Sequence, residues 1–429
     1  MSRKKSKGRL TRQQRALLHK KKMRKRIILL VLEILILIIL GTAAYGMSKL
    51  DKLDFHTLNK KNLEIYQDTG DYTNIALFGL DSRGVDWDSE EGVRSDTIMI
   101  VSINNKTKAV KVVSVFRDTL TQQGDGSYEK ANAAYSYGGP EKAVALLNRN
   151  LDLDIQKYVS VNFNALADII DLLGGIEVDL KTPTEVELVN GYGTETAKVV
   201  GRTTTQLTET GKQTLDGIQA VSYARIRYQV FDGDPNDGTD FRRAERQRFV
   251  LQQVVAKAKK ASLPTLNRII DKVLPQVSTN LSASDFMGMA ANAVKYELGE
   301  MKGFPFDVTT SENVTGFEGS YVVAIGFADN VKQLHKFLFD KESYQPSAKV
   351  QEINDDIVYL TGIDGDDYEV PPADGQDSGG TDGSYTDDSG YADDSGYADD
   401  SGYADDSGYT DDSGYTDDSG YGDSGDYGY

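Results

Sequence analysis

The sequence contains no cysteine, and its 429 residues include three histidines and one tryptophan. The absence of cysteine excludes disulfide bonds, thiol catalysis and thiolate metal sites. His19, His56 and His335 are far apart in sequence, and none lies near the arginine-rich motifs described below. This distribution argues against a Ser-His-Asp triad and against a multi-histidine metal site. Any chemistry must therefore use carboxylates, guanidinium groups and hydroxyls.

Charge of one sign is missing from each end of the chain. Residues 1–26 carry 13 Lys or Arg and no acidic residue, whereas residues 350–429 carry 24 Asp or Glu and no basic residue. The formal net charge of −18 therefore misrepresents the part between them, in which the charges nearly balance. The sequence predicts a basic head, a nearly neutral body and an acidic tail.

Residues 27–47 form an almost unbroken apolar run, the length that spans a bilayer. The positive charges before it are typical of a cytoplasmic flank, so we expect the body to lie outside the membrane. The run is too long for a signal peptide and no convincing cleavage site follows, which favours an uncleaved anchor. Its one acidic residue, Glu33, is either tolerated near one interface or paired within the membrane.

The basic head, 1–26, has no helix-turn-helix pattern and is expected on the cytoplasmic side. We therefore predict that it contacts anionic lipid headgroups and that the protein does not bind nucleic acid.

After a polar stalk at 48–72, the body at 73–349 alternates strand and helix patterns. Strands are predicted at 74–80, 97–103, 109–116, 157–163, 176–180 and 320–326, and helices at 140–151, 164–173, 215–224, 241–260, 265–275, 284–298 and 328–339. This alternation predicts an α/β fold in which helices cover both faces of a sheet. In such folds, sites gather where strands run into loops.

The acidic segment at 350–429 changes character beyond about residue 365. DDSGY recurs six times at a period of six between Asp387 and Tyr421. Low hydrophobicity and a single sign of charge predict disorder. The segment then serves either as a solvated, wall-facing spacer or as a loose binder of divalent cations.

The most informative motif is an arginine cluster. Within 22 residues the chain places Arg225, Arg227, Arg242, Arg243 and Arg246. Asp240 is the predicted N-cap of the helix at 241–258, and Arg243 and Gln247 share a face of its first turns. Guanidinium groups at a helix N-terminus suit phosphate or pyrophosphate, whose oxygens they bind in pairs. The alternative is a solvated charged face.

Three further motifs place carboxylates and arginines at predicted strand ends. The strings GLDSRG, RSDT and FRDT contribute Asp81, Arg83, Arg94, Asp96, Arg117 and Asp118. Asp81 and Asp96 are candidate ligands of Mg²⁺, which takes a few carboxylates together with phosphates and water. Each motif alone also fits a turn or an ion pair. Their occurrence together with the arginine cluster favours one shared site.

Seven ordered strings between about 72 and 261 resemble the LytR–CpsA–Psr family, membrane-anchored enzymes that attach glycopolymers to Gram-positive cell walls. The strings are GLDSR, RSDTIMIVSI, VVSVFRDT, YEKANAAYSYGG, LLGGIEVDL, LDGIQAVSYARIR and DFRRAERQ. The resemblance implies an αβα core that holds a polyprenyl pyrophosphate in an apolar pocket. It also implies transfer of a phospho-glycopolymer from that lipid to a peptidoglycan hydroxyl. Residues 262–349 match the family only loosely, and the acidic tail is not part of its core.

The resemblance also implies roles for individual residues. Asp81 and Asp96 match carboxylates associated with Mg²⁺ (or Mn²⁺). The pyrophosphate-binding set is matched by Arg117, Arg225, Arg227, Arg243 and Gln247, and its four arginines are the expected catalytic residues. Arg83 and Asp240 match other positions near that set. The expected partners are a polyprenyl-pyrophosphate-linked glycopolymer, peptidoglycan and the cell membrane.

Phosphoryl transfer mainly requires positioning and charge neutralisation, which a metal ion and arginines supply. A carboxylate can also accept the proton of the acceptor hydroxyl, and the sequence does not decide whether Asp81 or Asp96 is a ligand or a base. The apolar segment at 164–175 either packs in the core or lines a prenyl groove. Two other functions remain open, an envelope-associated regulator or binding protein and a pyrophosphatase that uses water as the acceptor.

Overall fold

The computed structural model describes residues 48, 54–80, 93–227, 239–312 and 314–365. Among these residues, no helix is both long and apolar enough to cross a membrane. The basic head, the apolar run at 27–47 and the repeats of the acidic tail lie outside the described residues, as do Asp81 and Arg83. The predictions made for them stay predictions.

A seven-stranded mixed sheet forms the middle layer of the body. Its strand order is β1 (Asp54–Phe55), β10 (Val277–Thr279), β7 (Lys157–Asn162), β2 (Tyr72–Leu80), β3 (Ser95–Asn104), β4 (Ala109–Val115) and β11 (Glu297–Phe304). β2 is parallel to β7 and antiparallel to β3, which is antiparallel to β4. The carboxyl ends of β2, β4 and β7 therefore meet the amino end of β3. We call this the site edge and the opposite one the far edge.

Three two-stranded hairpins flank the sheet. They are β5 (Leu120–Gln122) with β6 (Tyr128–Lys130), β8 (Ile176–Leu180) with β9 (Gly211–Leu215), and β12 (Val308–Ser311) with β13 (Tyr321–Ala324). An isolated bridge between Thr119 and Val322 joins β13 to the segment that follows β4. The third hairpin is thereby held beside the site edge.

The α-helices of the described residues cover both faces of the sheet. They are α1 (Ala133–Leu151), α2 (Phe163–Leu172), α3 (Pro183–Val199), α4 (Gly217–Arg225), α5 (Asp240–Ala258), α6 (Leu263–Val273), α7 (Ala283–Asn292), α8 (Phe327–Phe339) and α9 (Ala348–Thr361). Tyr158 belongs to the cluster formed with α1, α8 and α9, whereas its neighbour Val159 packs with α2 and α6. Because adjacent strand residues point to opposite faces, the predicted two-sided α/β arrangement is confirmed.

The start of α1 differs from the predicted helix at 140–151. The helix begins at Ala133 but is interrupted at Gly138 and Gly139, whose backbone angles are not helical. Gly139 has a φ of 59°, a value that glycine adopts without steric cost. Pro140 therefore opens the second, uninterrupted part of the helix, which explains why the sequence pattern places its start there.

Residues 284–298 do not form one helix as predicted. α7 ends at Asn292, a 3₁₀ turn covers Ala293–Lys295, and β11 begins at Glu297. Most side chains of β11 are at least partly exposed, and the strand pairs in parallel with β4. Its strand character depends on this pairing, because an exposed edge strand has little apolar alternation of its own.

Two helices were not predicted. α3 begins at the N-cap Thr182 with Pro183 in its first turn, a recognisable start signal, but its interior contains Gly191 and Gly193, which weaken the helical pattern. α9 extends the folded body past 349. Its apolar residues are spaced along one face, but all except the first two residues of the helix lie in the segment at 350–429 that is predicted to be the acidic tail.

Removing a core side chain of α9 should destabilise the whole body. Val350, Ile353 and Ile357 are at most 1% exposed, so Ile353→Ala should lower the free energy of unfolding by about 2–5 kcal/mol. Tyr359→Ala, on the same helix but 83% exposed, is the matched control and should change it by less than about 0.5 kcal/mol. Urea denaturation measures both. Equal stability of the two variants would show that α9 is not part of the core.

Candidate functional site

A small apolar cluster fixes the start of α5 against the end of β4. The rings of Phe116 and Phe241 meet edge to face with centroids 4.7 Å apart, and Ala244 and Val322 complete the cluster. Such aromatic pairs add to the energy of burial and define a geometry. The residues that flank Phe116 and Phe241 are thereby held close together at the site edge.

The N-cap of α5 is Thr239, which corrects the prediction of Asp240. The Thr239 hydroxyl accepts a hydrogen bond from the backbone N–H of Arg242 at 3.4 Å. Asp240 is the first helical residue. Since Thr239 already caps the helix, the Asp240 carboxylate pairs instead with the guanidinium group of Arg243.

Arg117 is the centre of the site. Its Nη1 donates to Oδ1 of Asp96 at 2.8 Å, and its Nε donates to Oδ2 of Asp118 at 3.3 Å. The same Nε lies 3.7 Å from Oδ1 of Asp240, the carboxylate that pairs with Arg243. Residues from β3, α5 and the segment after β4, widely separated in sequence, therefore form one ion network. The structure brings together four of the predicted site residues here, namely Asp96, Arg117, Asp240 and Arg243.

The environment shifts the pKa values of Asp96 and Asp240 in opposite directions. Burial opposes ionisation of Asp96, but the positive charges of Arg117 and Arg243 outweigh it and hold its pKa below the usual range. Burial raises the pKa of Asp240, and nearby Asp118 acts in the same direction, against the attraction of Arg243. Asp96 is thus an anion at neutral pH. Asp240 is the costlier charge to bury.

Arg117 remains a cation in spite of its burial. Burial lowers its pKa, but the three carboxylates around it more than compensate and raise the pKa above its ordinary value. Guanidinium groups keep their charge in such surroundings and present a rigid, planar set of donors. Arg117 therefore links the three carboxylates as a permanent positive centre.

Arg225 is supported by residues that the sequence analysis did not identify. Its Nη1 donates to Oγ1 of Thr196 at 2.9 Å. Its guanidinium carbon lies 4.9 Å from the ring centroid of Phe163 and 5.8 Å from that of Tyr192. Thr196 is fully buried, and Oγ of Ser222 lies 3.1 Å from its hydroxyl. These contacts hold the guanidinium plane in one orientation.

The arginine cluster divides into two groups. Arg243 is only 4% exposed and belongs to the ion network. Arg246 instead donates to the carbonyl of Ile226 at 3.4 Å and ties α5 to the end of α4. Arg242 pairs on the outer face of α5 with Glu245 at 2.8 Å. Only part of the cluster is thus directed towards the predicted pyrophosphate.

Arg227 and Gln247 are half-buried in this region. Arg227 lies two residues beyond the end of α4, and Gln247 lies one helical turn after Arg243 on α5. Arg225 is close enough to Asp96 to lower the pKa of that carboxyl. All the predicted site residues that the structure describes therefore lie on the elements that meet at the site edge.

Lys130 is an additional basic residue at the site. Its Nζ lies 3.5 Å from Oδ1 of Asp118 and 5.3 Å from the ring centroid of Tyr321. The string YEKANAAYSYGG contains Lys130, but its spacing did not reveal the contact with Asp118. Counted with Arg117, Arg225, Arg227 and Arg243, Lys130 gives the site more positive than negative side chains. That balance suits a polyvalent anion.

Asp96 is the predicted metal ligand that the structure describes, since Asp81 lies outside the described residues. Within the described part of the chain, no group of three or more His, Asp or Glu side chains is arranged around a common metal position. An ionised, partly exposed carboxylate such as Asp96 nevertheless suits Mg²⁺ or Mn²⁺, because hard cations at phosphate sites take few protein ligands.

A cavity of about 470 Å³ lies between α2 and α6. Its lining includes Asp168, Asp171 and Arg202, and Arg202 donates to Asp168 at 3.2 Å. These charges make it unsuitable for a prenyl chain. In the segment at 164–175, the side chains of Ala165, Ala167 and Ile170 are fully buried among core residues. This burial favours the first of the two predicted roles, packing in the core. The apolar prenyl pocket stays a prediction.

Comparison with known proteins relates this site to a family. A sequence model of the LytR_cpsA_psr family matches residues 41–336. The chain is 31% identical over 283 residues to the polyisoprenyl-teichoic acid–peptidoglycan teichoic acid transferase TagU of Bacillus cereus strain AH820, which covers 63% of this chain and 84% of that protein. For TagU of Bacillus subtilis strain 168, the identity is 29% over 297 residues, with 65% and 88% covered.

A solved structure supports the fold. The crystal structure of gbs0355 from Streptococcus agalactiae aligns with a TM-score of 0.52 at 26% identity, and the alignment covers 65% of this chain and 91% of that one. The match to the family model, at residues 41–336, does not include the repeats of the acidic tail.

The ion pair between Asp96 and Arg117 should give a distinctive dependence of stability on pH. Asp96→Asn should lower the free energy of unfolding at pH 7 by about 1–3 kcal/mol, because it removes a hydrogen-bonded charge from a partly buried pair. The pKa of Asp96 is lowered in the folded protein, so its contribution is present above the unfolded pKa and is lost as the pH falls through the folded one.

The difference between wild type and Asp96→Asn should accordingly shrink below about pH 4. Thermal or urea unfolding from pH 3 to 8 measures it. Lys106→Ala, which breaks an exposed pair with Asp71, serves as the control and should show little effect at any pH. A difference for Asp96→Asn that stays constant with pH would contradict the charge-based explanation.

Proposed function

The chain belongs to the LytR_cpsA_psr family, and on this premise we propose that it transfers a glycopolymer phosphate from a polyprenyl-pyrophosphate carrier to a peptidoglycan hydroxyl. The observation that carries the proposal is the Arg117 network, which holds Asp96, Asp240 and Arg243 together at the site edge. The B. cereus and B. subtilis relatives are named as transferases of teichoic acid to peptidoglycan. Teichoic acid is therefore the proposed class of glycopolymer, with capsule or another wall polysaccharide as alternatives.

In the proposed reaction the acceptor oxygen attacks the phosphorus that bears the glycan. A new P–O bond forms to peptidoglycan, and the bond from that phosphorus to the bridging oxygen of the pyrophosphate breaks. Prenyl phosphate leaves with the electron pair of that bond. The hydroxyl proton passes to a carboxylate or to water. Each step changes charge on phosphate oxygens, and the arginines stabilise that charge.

The side chains have distinct proposed tasks. Arg225, Arg227 and Arg243 bind the pyrophosphate oxygens, with Gln247 as a further donor. Such fixed donors stabilise developing charge without having to reorganise during the reaction. Arg117 contacts the transferred phosphate and, through its carboxylate partners, joins the strands to α5. Asp240 positions Arg243 and Arg117.

Asp96 and Asp81 are proposed to hold Mg²⁺ (or Mn²⁺), and Arg83 lies near them in sequence. When bound, the cation would neutralise charge on the pyrophosphate oxygens. Asp96 suits this role because its pKa is lowered, so that it is ionised at neutral pH. An ionised Asp96 is equally suited to accept the proton of the acceptor hydroxyl.

The proposed location is the outer side of the cell membrane of a Gram-positive type envelope. The apolar run at 27–47, with 13 basic residues before it, supports a single-pass anchor with a cytoplasmic N-terminus. The acidic repeats support a disordered spacer between the body and the wall. Both features support a location of the body between the membrane, which holds the lipid-linked polymer, and the peptidoglycan.

Loss of one arginine should greatly reduce turnover. Arg243→Ala and Arg227→Ala should each lower kcat about 10²–10³-fold, as for loss of a donor at a charged transition state. Arg243→Lys should recover only part of the activity, because an ammonium group cannot bind two oxygens as a guanidinium does. Arg242→Ala is the matched control, since Arg242 pairs with Glu245 on the outer face, and it should keep nearly full activity. The assay uses a prenyl-pyrophosphate-linked glycan with a peptidoglycan acceptor.

Stability must be measured with these rates. Arg243 is buried beside Asp240, so its removal leaves a buried carboxylate with one partner fewer and should cost about 3–5 kcal/mol. Rates are therefore compared per folded molecule, and half-buried Arg227 provides the variant that should stay folded. Wild-type rates in folded Arg227→Ala and Arg243→Ala would show that the active site does not lie at these arginines, and a wild-type protein without transfer activity would favour the non-enzymatic function. Hydrolysis of the substrate to glycan phosphate and prenyl phosphate, without transfer in the presence of acceptor, would favour a pyrophosphatase.

Thr196 should act on turnover through Arg225. Thr196→Val keeps the shape of the buried side chain but removes the oxygen that binds Nη1 of Arg225. We expect kcat to fall about tenfold, the rate equivalent of one hydrogen bond to a charged group, with little change in KM for the acceptor. Thr196→Ser restores the hydroxyl and should restore the rate. If the serine variant is as slow as the valine variant, packing and not the hydrogen bond explains the loss.

A further inference from the structure

The end of the body opposite the arginine site carries exposed apolar side chains. Leu263 at the start of α6 is 81% exposed, Met287 on α7 is 64% exposed, and Val294 in the following 3₁₀ turn is 93% exposed. α7 has no buried residue, and α6 has one, Val273. Single exposed apolar residues are common on protein surfaces. They indicate a binding surface only if they lie close together.

A direct contact brings two of these residues to the same end of the molecule. Nζ of Lys259 donates to the carbonyl of Tyr296 at 2.8 Å, which joins the end of α5 to the segment before β11. Leu263 follows Lys259 by four residues, and Val294 precedes Tyr296 by two. Both apolar side chains therefore flank this contact at the far edge, where β11 begins.

Lysines surround the apolar side chains. Lys259, Lys260 and Lys295 are exposed at the same end. Glu297 is an exposed acid beside them, and it reduces the local positive charge without cancelling it. Apolar tips among lysines are typical of surfaces that enter the interface of an anionic bilayer. A soluble polyanion would bind the lysines, but it has no apolar part that would contact the exposed valine and leucine.

The chain before the body limits the distance of β1 from a membrane. Six residues separate the predicted anchor, which ends at Met47, from β1 at Asp54, a span of at most about 24 Å. β1 pairs in parallel with β10, the strand between α6 and α7. His56 donates its backbone N–H to Thr279 at the end of β10. Because β1 is parallel to β10, the tether enters β1 from the side on which β10 begins, and the chain then runs on towards the far edge, beside the segment that leads into α7.

The orientation of α5 relates this end to the site. Asp240 lies in the arginine network, whereas Lys259 follows the last turn of the 19-residue helix, about 28 Å away. With the far edge on the bilayer, the arginine site stands above the headgroups and faces away from the membrane. A prenyl chain that extends from the pyrophosphate along α5 would then point towards the bilayer.

We propose that the far edge docks on the outer leaflet of an anionic membrane. Leu263, Met287 and Val294 enter the headgroup region, while Lys259, Lys260 and Lys295 contact acidic lipid headgroups. This docking surface is separate from the predicted transmembrane anchor. It rests on the proposed function only for the side of the membrane, and it gives the body a defined orientation on the bilayer.

The absence of native cysteine allows a direct test with single-cysteine variants of the full chain. Val294→Cys and Leu263→Cys are labelled with an environment-sensitive fluorophore and reconstituted, one protein per nanodisc, in discs that contain phosphatidylglycerol. Tyr359→Cys on α9 is the control, because Tyr359 is 83% exposed and α9 packs on the opposite face of the sheet. Labels at 263 and 294 should be quenched by lipid-borne nitroxide and protected from aqueous iodide, and the label at 359 should show the reverse.

Charge reversal tests the role of the lysines in the same discs. Lys260→Glu and Lys295→Glu should each lower the ratio of docked to undocked protein about fivefold, and discs of phosphatidylcholine alone should weaken docking in the wild type. Equal iodide quenching at 294 and 359 would overturn the proposal. So would labels at 263 and 294 that are shielded by added polyphosphate but not by lipid, since this would identify a polyanion site.

Transfer activity is measured on the same discs with the labelled proteins. Buried labels in a protein without transfer activity would leave the docking surface intact and count against the proposed function. Exposed labels in an active protein would overturn docking alone. Val294 is 93% exposed, so its replacement should leave the unfolding temperature unchanged, and the label reports on the membrane and not on altered folding.

Discussion

The arrangement of the site depends on the guanidinium group of Arg117. It is the common partner of carboxylates on β3, after β4 and at the start of α5. β3 and β4 are already held side by side by their pairing in the sheet, whereas the start of α5 is held against them by the charge network and by the ring contact of Phe116 with Phe241. A change at Arg117 would therefore affect the three carboxylates that it links and, through Asp240, Arg243.

Such a network is costly to bury, and its composition reflects that cost. The carboxylates of Asp96, Asp118 and Asp240 compensate Arg117 and Arg243, so the arginines can stay in place before any anion arrives. Preorganised charges need little rearrangement when negative charge develops on a substrate. The pKa of Asp240 is raised because the attraction of Arg243 and Arg117 does not fully offset the burial of this carboxylate and the repulsion from Asp118 and Asp96. The buried charges therefore lower the stability of the folded protein at the site where an anion is expected to bind.

The two ends of α5 have different roles, one in the arginine site and the other at the proposed membrane contact. Its first turn contributes Asp240 and Arg243 to the network, whereas the lysines after its last turn lie at the exposed far edge. The helix thereby sets the separation between the arginine site and the proposed membrane contact. A rigid helix between two polar ends defines that distance better than a loop would.

Much of this protein follows from local sequence. Four strands of the central sheet (β2, β3, β4 and β7) and the helix at 241–258 were predictable, because apolar periodicity reports on neighbours along the chain. The grouping of Asp96, Arg117, Arg225 and Arg243 was predictable from the ordered motifs that contain them. The family membership followed from the same motifs. The charge segregation of the two ends is likewise a property of the sequence alone.

Tertiary structure alone decided the rest. The side chains of Thr196, Tyr192 and Phe163 reach Arg225 only because α2, α3 and α4 pack together, and no spacing in the chain encodes that approach. β11 is a strand because β4 lies beside it, and α9 belongs to the body because its apolar face meets α1 and α8. Sequence patterns record which residues prefer burial. Which distant surface buries them is decided when the chain packs, since long-range contacts have no local signal.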